Sequence, residues 1–274
     1  MPMSALDLSK VAREIRKEVI KMVAVAGSGH PAGSLSSVDI FTAFYFSILN
    51  HDPKNPDWTE RDRFILSCGH YCPAQYAALA LSGYFPTKDL ATYAKLGSPL
   101  QAHPERGRLP GVETTSGPLG EGLAQSVGYA LAARMDGKHF RIYCLTSDGE
   151  HDEGNHWEAV MLAAKLKLSN LTLIVDRNNI QIDGPTESVL PLEPLVNKYR
   201  AFNWQAVEVD GHDITQILES VKEAKGYYQG PTVIIAKTTA GKGVSFMEND
   251  FTWHAKPLSS EEAKLALKEL AHVE

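Results

Sequence analysis

Between Ser147 and Gly184 the chain reads SDGEHDEGNHWEAVMLAAKLKLSNLTLIVDRNNIQIDG, and this stretch constrains the fold more than any other. An apolar run, Ile142 to Leu145, leads into Asp148-Gly149. A helical repeat follows, with Trp157, Val160, Met161, Ala164 and Leu168 on one stripe. A second apolar run, Leu171 to Val175, leads into Asp176-Arg177-Asn178-Asn179. The pattern predicts strand, helix, strand. In such a unit the strands are parallel, so both carboxyl ends leave the sheet at the same edge. Asp148 and Asn178 lie just beyond those ends and are expected to be neighbours in space.

A carboxylate and an amide oxygen are hard ligands of the kind Mg²⁺ takes into an octahedron of oxygens. With one backbone carbonyl added, room remains for water and phosphate oxygens. Gly149 lets the backbone approach an anion, and ligands of open parallel sheets bind at this edge. A divalent cation bridging a diphosphate is one reading of these residues. The other is that Asp-Gly and Asn-Asn are ordinary turns after strands. The residues taken alone leave both open.

The rest of the chain alternates in the same way. Leu8, Val11, Ala12, Ile15, Val19, Met22 and Val23 predict an amphipathic helix stopped at Gly27-Ser28-Gly29-His30-Pro31, with an exposed loop there. Phe41, Phe44, Tyr45 and Ile48 mark a second helix. Arg63 to Ser67 reads as a buried strand running into Cys68-Gly69-His70 and a helix with Pro73 near its first turn. A third helix is expected over about 88–96, then a long loop ending in Gly117-Pro118-Leu119-Gly120 at the start of a helix through Leu123, Val127, Ala130 and Leu131. Beyond the central stretch, Pro194 to Phe202 predicts a helix and Gln205 to Val209 a strand. Asp213 caps a further helix, and Pro231 opens the strand Thr232 to Ala236. Ser259 and Glu262 form a capping box for a last helix. The class is therefore α/β, a mostly parallel twisted sheet with helices on both faces, and no domain boundary is visible along 1–274.

Composition narrows the partners. A formal charge of −6 argues against nucleic acid, and no apolar run approaches a membrane span. The amino terminus lacks a secretory apolar core. Three cysteines without framework spacing suit a reducing cytoplasm. Cys68 and Cys72 around His70 lack the second ligand pair that a zinc site needs. Four histidines, His30, His70, His103 and His254, fall in loops marked by glycine or proline, where they suit proton shuttling near neutral pH if the loops converge.

The central stretch resembles the diphosphate motif of the thiamine diphosphate enzymes, with Ser147 in place of its usual first glycine. DGEHDEG followed by DRNNIQIDG is similar to transketolase in particular. So are SGHP at Ser28, RDRFILSCGH at Arg61, AHPE at Ala102 with LPGVETTSGPLGEG after it, and the stretch from GKG to His254. These run in the family's order over nearly the whole chain. The resemblance implies a diphosphate-binding fold that takes thiamine diphosphate and Mg²⁺, for which Ca²⁺ or Mn²⁺ can stand in. It implies Asp148, Asn178 and the Ile180 carbonyl as metal ligands, with Ile182 packed on the cofactor. His30, His70, His103 and His254 would line the channel over it, His70 and His254 also approaching the diphosphate. Gly117 and Leu119 would touch the thiamine rings. Glu153 matches a buried glutamate that links paired active sites, although as a helix-start acid it also suits the dipole.

Transketolases carry further domains, and this chain matches only the first. The pyrimidine domain, with the glutamate that activates the aminopyrimidine, has no counterpart in it. The resemblance therefore implies the amino-terminal subunit of a split transketolase. Its partner would be a carboxy-terminal subunit carrying the pyrimidine domain and a third domain, two copies of each. The substrates would be a ketose and an aldose phosphate of pentose phosphate metabolism. An engineered fragment would read the same, but the capped last helix argues for a natural end. Two alternatives remain, a cofactor-binding subunit without turnover and a deoxyxylulose phosphate synthase-like subunit. The absence of a GxGxxG directly after the first strand argues against a nicotinamide dehydrogenase.

Overall fold

The computed structural model describes residues 3–272. Five strands form one parallel sheet: β1 (Arg63–Leu66), β2 (Ile142–Ser147), β3 (Leu171–Arg177), β6 (Gln205–Asp210) and β7 (Thr232–Lys237), in the order β1-β2-β3-β7-β6. A two-residue antiparallel pair, β4 (Ile180–Gln181) and β5 (Gly184–Pro185), stands on the carboxyl end of β3. Successive strand residues serve opposite faces, as the pleat requires. Ile142, Cys144, Leu171, Leu173, Val233 and Ile235 enter one core, and Tyr143, Leu145, Ile174, Ile234 and Ala236 enter the other.

Helices cover both faces. On one side pack α1 (Ala5–Ala26), α2 (Pro31–Ser36), α3 (Val38–Ala43), α4 (Cys72–Ser82), α9 (Ile214–Gly226) and α10 (Ser260–His272). On the other lie α5 (Glu121–Met135), α6 (Gly154–Lys165) and α8 (Leu195–Ala201), with the short α7 (Thr186–Val189) following β5. The end signals act as read. Ser4 accepts from the Asp7 amide at the start of α1, Gly27 closes it at φ 61°, and Asp213 accepts from Thr215 and Gln216 at α9. The capping box also forms: the Ser259 amide donates to Glu262 at 2.8 Å and the Glu262 amide to Ser259 Oγ at 3.1 Å.

Several expectations need correction. The loop after α1 is brief, because Pro31 pre-sets the first turn of α2. The second predicted helix is α3 followed by a π-turn at Phe44–Ile48. The helix expected over 88–96 is only a 3₁₀ turn, Thr87–Thr92, since Ala94 takes a left-handed φ of 54°. The stripe of α6 is also rotated. His156, Ala159, Val160 and Ala163 face inward while Met161 is half exposed, because α5 and α8 meet the helix on that side.

One close approach fixes the relation of α2 to the sheet edge. A β-carbon on Gly33 would fall 1.9 Å from Cε1 of Tyr71, a ring buried against α2. Tyr71 cannot retreat, because its hydroxyl accepts from Asn178 Nδ2 at 2.8 Å. Gly33→Ala is therefore expected to destabilise the fold by roughly 2 kcal/mol, as overpacking does. Urea denaturation measures it, and an unchanged midpoint would show that α2 is free to shift.

Candidate active site

The β2–β3 register sets Ser147 opposite Asp176, so the residues that follow emerge side by side. Asp148 and Asn178 are both buried there. Asp148 Oδ2 accepts from Arg177 Nη1 at 2.8 Å, the Asn179 amide at 2.7 Å and Thr186 Oγ1 at 3.3 Å. Its Oδ1 accepts from the Gly149 amide at 2.8 Å. Burial pushes the Asp148 carboxyl up to about 6, against the pull of Arg177.

Asn178 is oriented by what its nitrogen donates to. Nδ2 reaches Tyr71 at 2.8 Å, Asp176 at 2.9 Å and Ser36 at 3.2 Å, all on the inner side. Oδ1 is left to the Ile180 amide at 3.1 Å and to the site. The Thr186 amide donates to the Asn179 carbonyl at 3.0 Å. In an antiparallel ladder the next pair, Ile180 with Pro185, turns its backbone groups away from the partner strand. The Ile180 carbonyl is thus free of the ladder. Asp148 Oδ1, Asn178 Oδ1 and this carbonyl make an all-oxygen donor set, which fits a hard divalent cation. Among the described residues no cluster of three or more His, Cys, Asp or Glu could bind a metal, so the site is recognisable only through its amide and carbonyl donors.

Above this floor lies a cavity of about 330 Å³. Its walls include His30, His70, His103, Gly117, Leu119, Gly149, Glu153, Ile180, Ile182 and His254. All four histidines come together. The rings of His30 and His70 are 5.1 Å apart, His30 and His254 5.4 Å, His70 and His254 5.2 Å, and His30 and His103 6.2 Å. Each arrives from a different element. His30 precedes α2, His70 lies in the turn after β1, and His254 follows the 3₁₀ turn Phe251–Trp253. His103 is held over Gly117 because the Ser116 amide donates to the Pro104 carbonyl, pinning the two arms of the long loop together.

Burial disfavours the charged form of all four rings. Burial and neighbouring imidazoles hold His70 well below the ordinary histidine value, and burial lowers His103 and His254. His30 is pushed down to about 4 by burial and then by His254 and His103. His30 Nδ1 and His70 Nε2 are buried without a hydrogen-bond partner among the described residues. Such atoms are costly unless a ligand meets them. A diphosphate offers the acceptors they lack.

Glu153 stands at the mouth of the cavity. It is exposed, at the cap position of α6 on the open rim, and its side chain caps nothing. Ser147 is extended strand, which explains why the usual glycine is dispensable there. Three residues of the site were not read from the sequence. Tyr71 anchors Asn178. Arg177 pairs with Asp148. Glu150 is fully buried and accepts from Ser67, the Gly120 amide at 2.7 Å and the Ser147 amide at 3.3 Å. The only sequence signal was the charge of Arg177 and Glu150 inside otherwise turn-like motifs. Cys68 and Cys72 are buried; Cys72 points at the carbonyls of Gln101 and Ala102 and serves packing.

Oxygen donors at the carboxyl edge of a parallel sheet, below a cavity lined by four imidazoles, are the arrangement in which α/β folds take an anionic cofactor. The thiamine diphosphate binding domain of transketolase matches residues 8–272. The chain belongs to the transketolase family. It is 43% identical over 265 residues to the SqwG subunit of the 6-deoxy-6-sulfo-D-fructose transketolase of Clostridium sp. (strain MSTE9), covering 97% of this chain and 96% of that one. It is 41% identical to an apulose-4-phosphate transketolase subunit from Actinobacillus succinogenes, covering 96% of each. The structure superimposes on the transketolase of Campylobacter jejuni with a TM-score of 0.93 and 37% identity, over 98% of this chain and 43% of that one. The fold and its family are therefore as the sequence implied.

His30 makes a pH dependence testable. Between about 4 and 6.5 the unfolded chain holds a proton on His30 that the folded chain lacks. Stability from this group is complete above that window and falls as pH falls through it. His30→Asn should flatten the decline in melting temperature across the window by about 6 °C. An equally steep decline in the variant would mean that His30 is protonated in the folded protein.

Proposed function

We propose that the chain acts as a single diphosphate-binding domain, the amino-terminal subunit of a two-chain transketolase. The holoenzyme moves a two-carbon ketol unit from a ketose to an aldose with thiamine diphosphate and Mg²⁺. The observation that carries this reading is the convergence of four neutral imidazoles, two with unpartnered buried nitrogens, over the Asp148–Asn178 oxygen pair. Relatives of matching length are named as subunits for 6-deoxy-6-sulfo-D-fructose and for apulose 4-phosphate. A ketose with an anionic terminus is the substrate class this favours.

Each role follows from the chemistry of the group. Asp148, Asn178 and the Ile180 carbonyl hold the cation, which lets a diphosphate settle above a carboxylate. His70 and His254 donate to the diphosphate oxygens. Gly117 and Leu119 leave a flat apolar wall for a ring, and Ile182 packs against the same face. Bound thiamine diphosphate supplies the nucleophilic carbon and the electron sink that ketol transfer needs. His30, His103 and His254 orient substrate hydroxyls. A neutral imidazole offers one donor and one acceptor, so these rings can also relay a proton. His103→Ala should lower turnover about 10²-fold while cofactor affinity stays nearly constant. Lost affinity with intact turnover at saturation would assign His103 to binding instead.

The same geometry calls for a partner. The cavity is open, Glu153 is uncovered, and apolar side chains stand exposed around it at Ile182, Val189, Leu190 and Phe251. These come from the β4–β5 pair, α7 and the adjoining 3₁₀ turn. A carboxy-terminal subunit bearing the pyrimidine domain would cover that rim, supply the activating glutamate and exclude water. Two copies of each chain follow the usual preference for two-fold closure. The chain alone is expected to give no ketol transfer, and the chain expressed with such a partner to give full transfer. Full activity from the isolated chain would overturn the split-enzyme reading.

A further inference from the structure

A second cavity, of about 440 Å³, opens between α1, the start of α9, Leu270 of α10 and the segment after β7. It is larger than the candidate active site, at about 330 Å³, and shares no lining residue with it. Three cations line it, Arg13, Arg16 and Lys242, and three carboxylates, Asp39, Asp210 and Asp213. Formal charge therefore does not decide what the cavity takes, and hydrogen bonding does.

The carboxylates are largely engaged. Asp39 Oδ2 accepts from Arg16 Nη2 and from His212 Nδ1, the latter at 2.8 Å. Asp213 accepts from the Thr215 and Gln216 amides and from Gln216 Nε2. Asp210 Oδ1 accepts from the His212 amide at 2.8 Å, and its Oδ2 has no donor among the described residues. The cations are less engaged. Among the described residues Arg13 makes no ion pair, and Lys242 stands 3.9 Å from Glu248, beyond a hydrogen bond. The Arg16 side chain is 11% exposed, and its Nε is buried without a partner among the described residues. Such donors are costly to leave unmet. Gly243 lets the chain pass close over this guanidinium. Its φ is 92°, and a β-carbon there would fall 3.0 Å from Leu270 Cδ2 and 3.4 Å from Arg16 Cδ.

Unmet donors on two guanidinium groups and an ammonium suit a multivalent oxyanion, and phosphate matches a guanidinium fork two bonds at a time. Asp210 Oδ2 is left for a hydroxyl group, and Ala12, Ile214 and Leu270 give an apolar wall for carbon. The first amides of α9 are already taken by Asp213, so the helix end itself adds nothing. We propose that this cavity is a second ligand site, which takes a small hydroxylated organic phosphate through Arg13, Arg16 and Lys242. Occupancy has a route to the active site. Lys242 lies in the segment that runs from β7 to His254, and the Gly241 amide of that segment donates to the Ala32 carbonyl of α2 at 2.9 Å. Only residues of this chain hold the ligand, so the site does not depend on the two-chain reading.

The probe is ribitol 5-phosphate, a polyol phosphate with no carbonyl for ketol transfer. Calorimetry titrates it into the full chain, alone and in complex with thiamine diphosphate, Mg²⁺ and the partner subunit. Saturable binding is expected in both. Arg13→Gln and Lys242→Gln should each weaken it about ten-fold, the loss of one charge-assisted hydrogen bond. Neither variant strips Asp39 of its partners, so an unchanged melting temperature confirms that both fold. His103→Ala should leave this binding intact, and ribitol without the phosphate should not bind. Amide exchange over residues 239–247 should slow when the probe is bound. Absence of saturable binding, binding that neither variant weakens, or unchanged exchange in that segment overturns the proposal. Binding by the lone chain that vanishes in the complex also overturns it, since the partner would then fill the cavity.

Discussion

Much of the site depends on one buried carboxylate that never reaches the cavity. Asp176 is fully buried, and burial pushes its carboxyl up. A charge there is tolerable only if donors surround it. Ser36 supplies one from α2 at 2.6 Å, Thr238 one from just beyond β7, and Asn178 one at 2.9 Å. These donors come from three separate parts of the chain. Satisfying Asp176 therefore ties α2 to the middle of the sheet and turns the Asn178 amide so that its oxygen faces outward. The orientation of a metal-type ligand is thus a by-product of solvating a buried charge beneath it.

The same constraint explains the position of the histidines. Ser36 belongs to α2, whose first residue follows His30. Tyr71 follows His70 and leaves its neighbour little freedom, being clamped between Gly33 and Asn178. Two of the four imidazoles are consequently placed by the hydrogen bonds that hold Asp176 and Asn178. Floor and wall are one polar network, and a disturbance at Gly33 or Asp176 is transmitted to both.

What the sequence made legible was local. The alternation of apolar runs with helical stripes is visible within a few residues, and it led to the parallel sheet, the shared edge and the nearness of Asp148 to Asn178. The loop histidines were legible as a group because glycine and proline mark their surroundings. Contacts across long separations were not. Ser36 meets Asp176 across 140 positions, and Ser67 meets Glu150 across 83. No periodicity encodes such pairs. The same limit applies to α6, where Met161 and Val160 look equally suited to the core. Only the arrival of α5 and α8 decides between them. Arg177 was visible as a residue but not as a partner of Asp148, because a charge in a turn is normally solvated and here it is enclosed.

Charge arithmetic explains why the floor and the histidines need each other. Asp148 lies under the cavity, and Glu150 and Glu153 line its wall. A diphosphate entering this space alone would meet carboxylates and four rings whose burial disfavours the protonated form. Repulsion would dominate in a medium of low dielectric. A divalent cation held, as proposed, by Asp148, Asn178 and Ile180 would reverse the sign of the floor, so the anion would be attracted where it was repelled. A seated anion would raise the proton affinity of the nearest imidazoles. Burial had lowered that affinity, and the two effects oppose each other within the same rings. On the proposed reading the histidines would be brought back toward the range in which a ring can both give and take a proton once cation and diphosphate were in place.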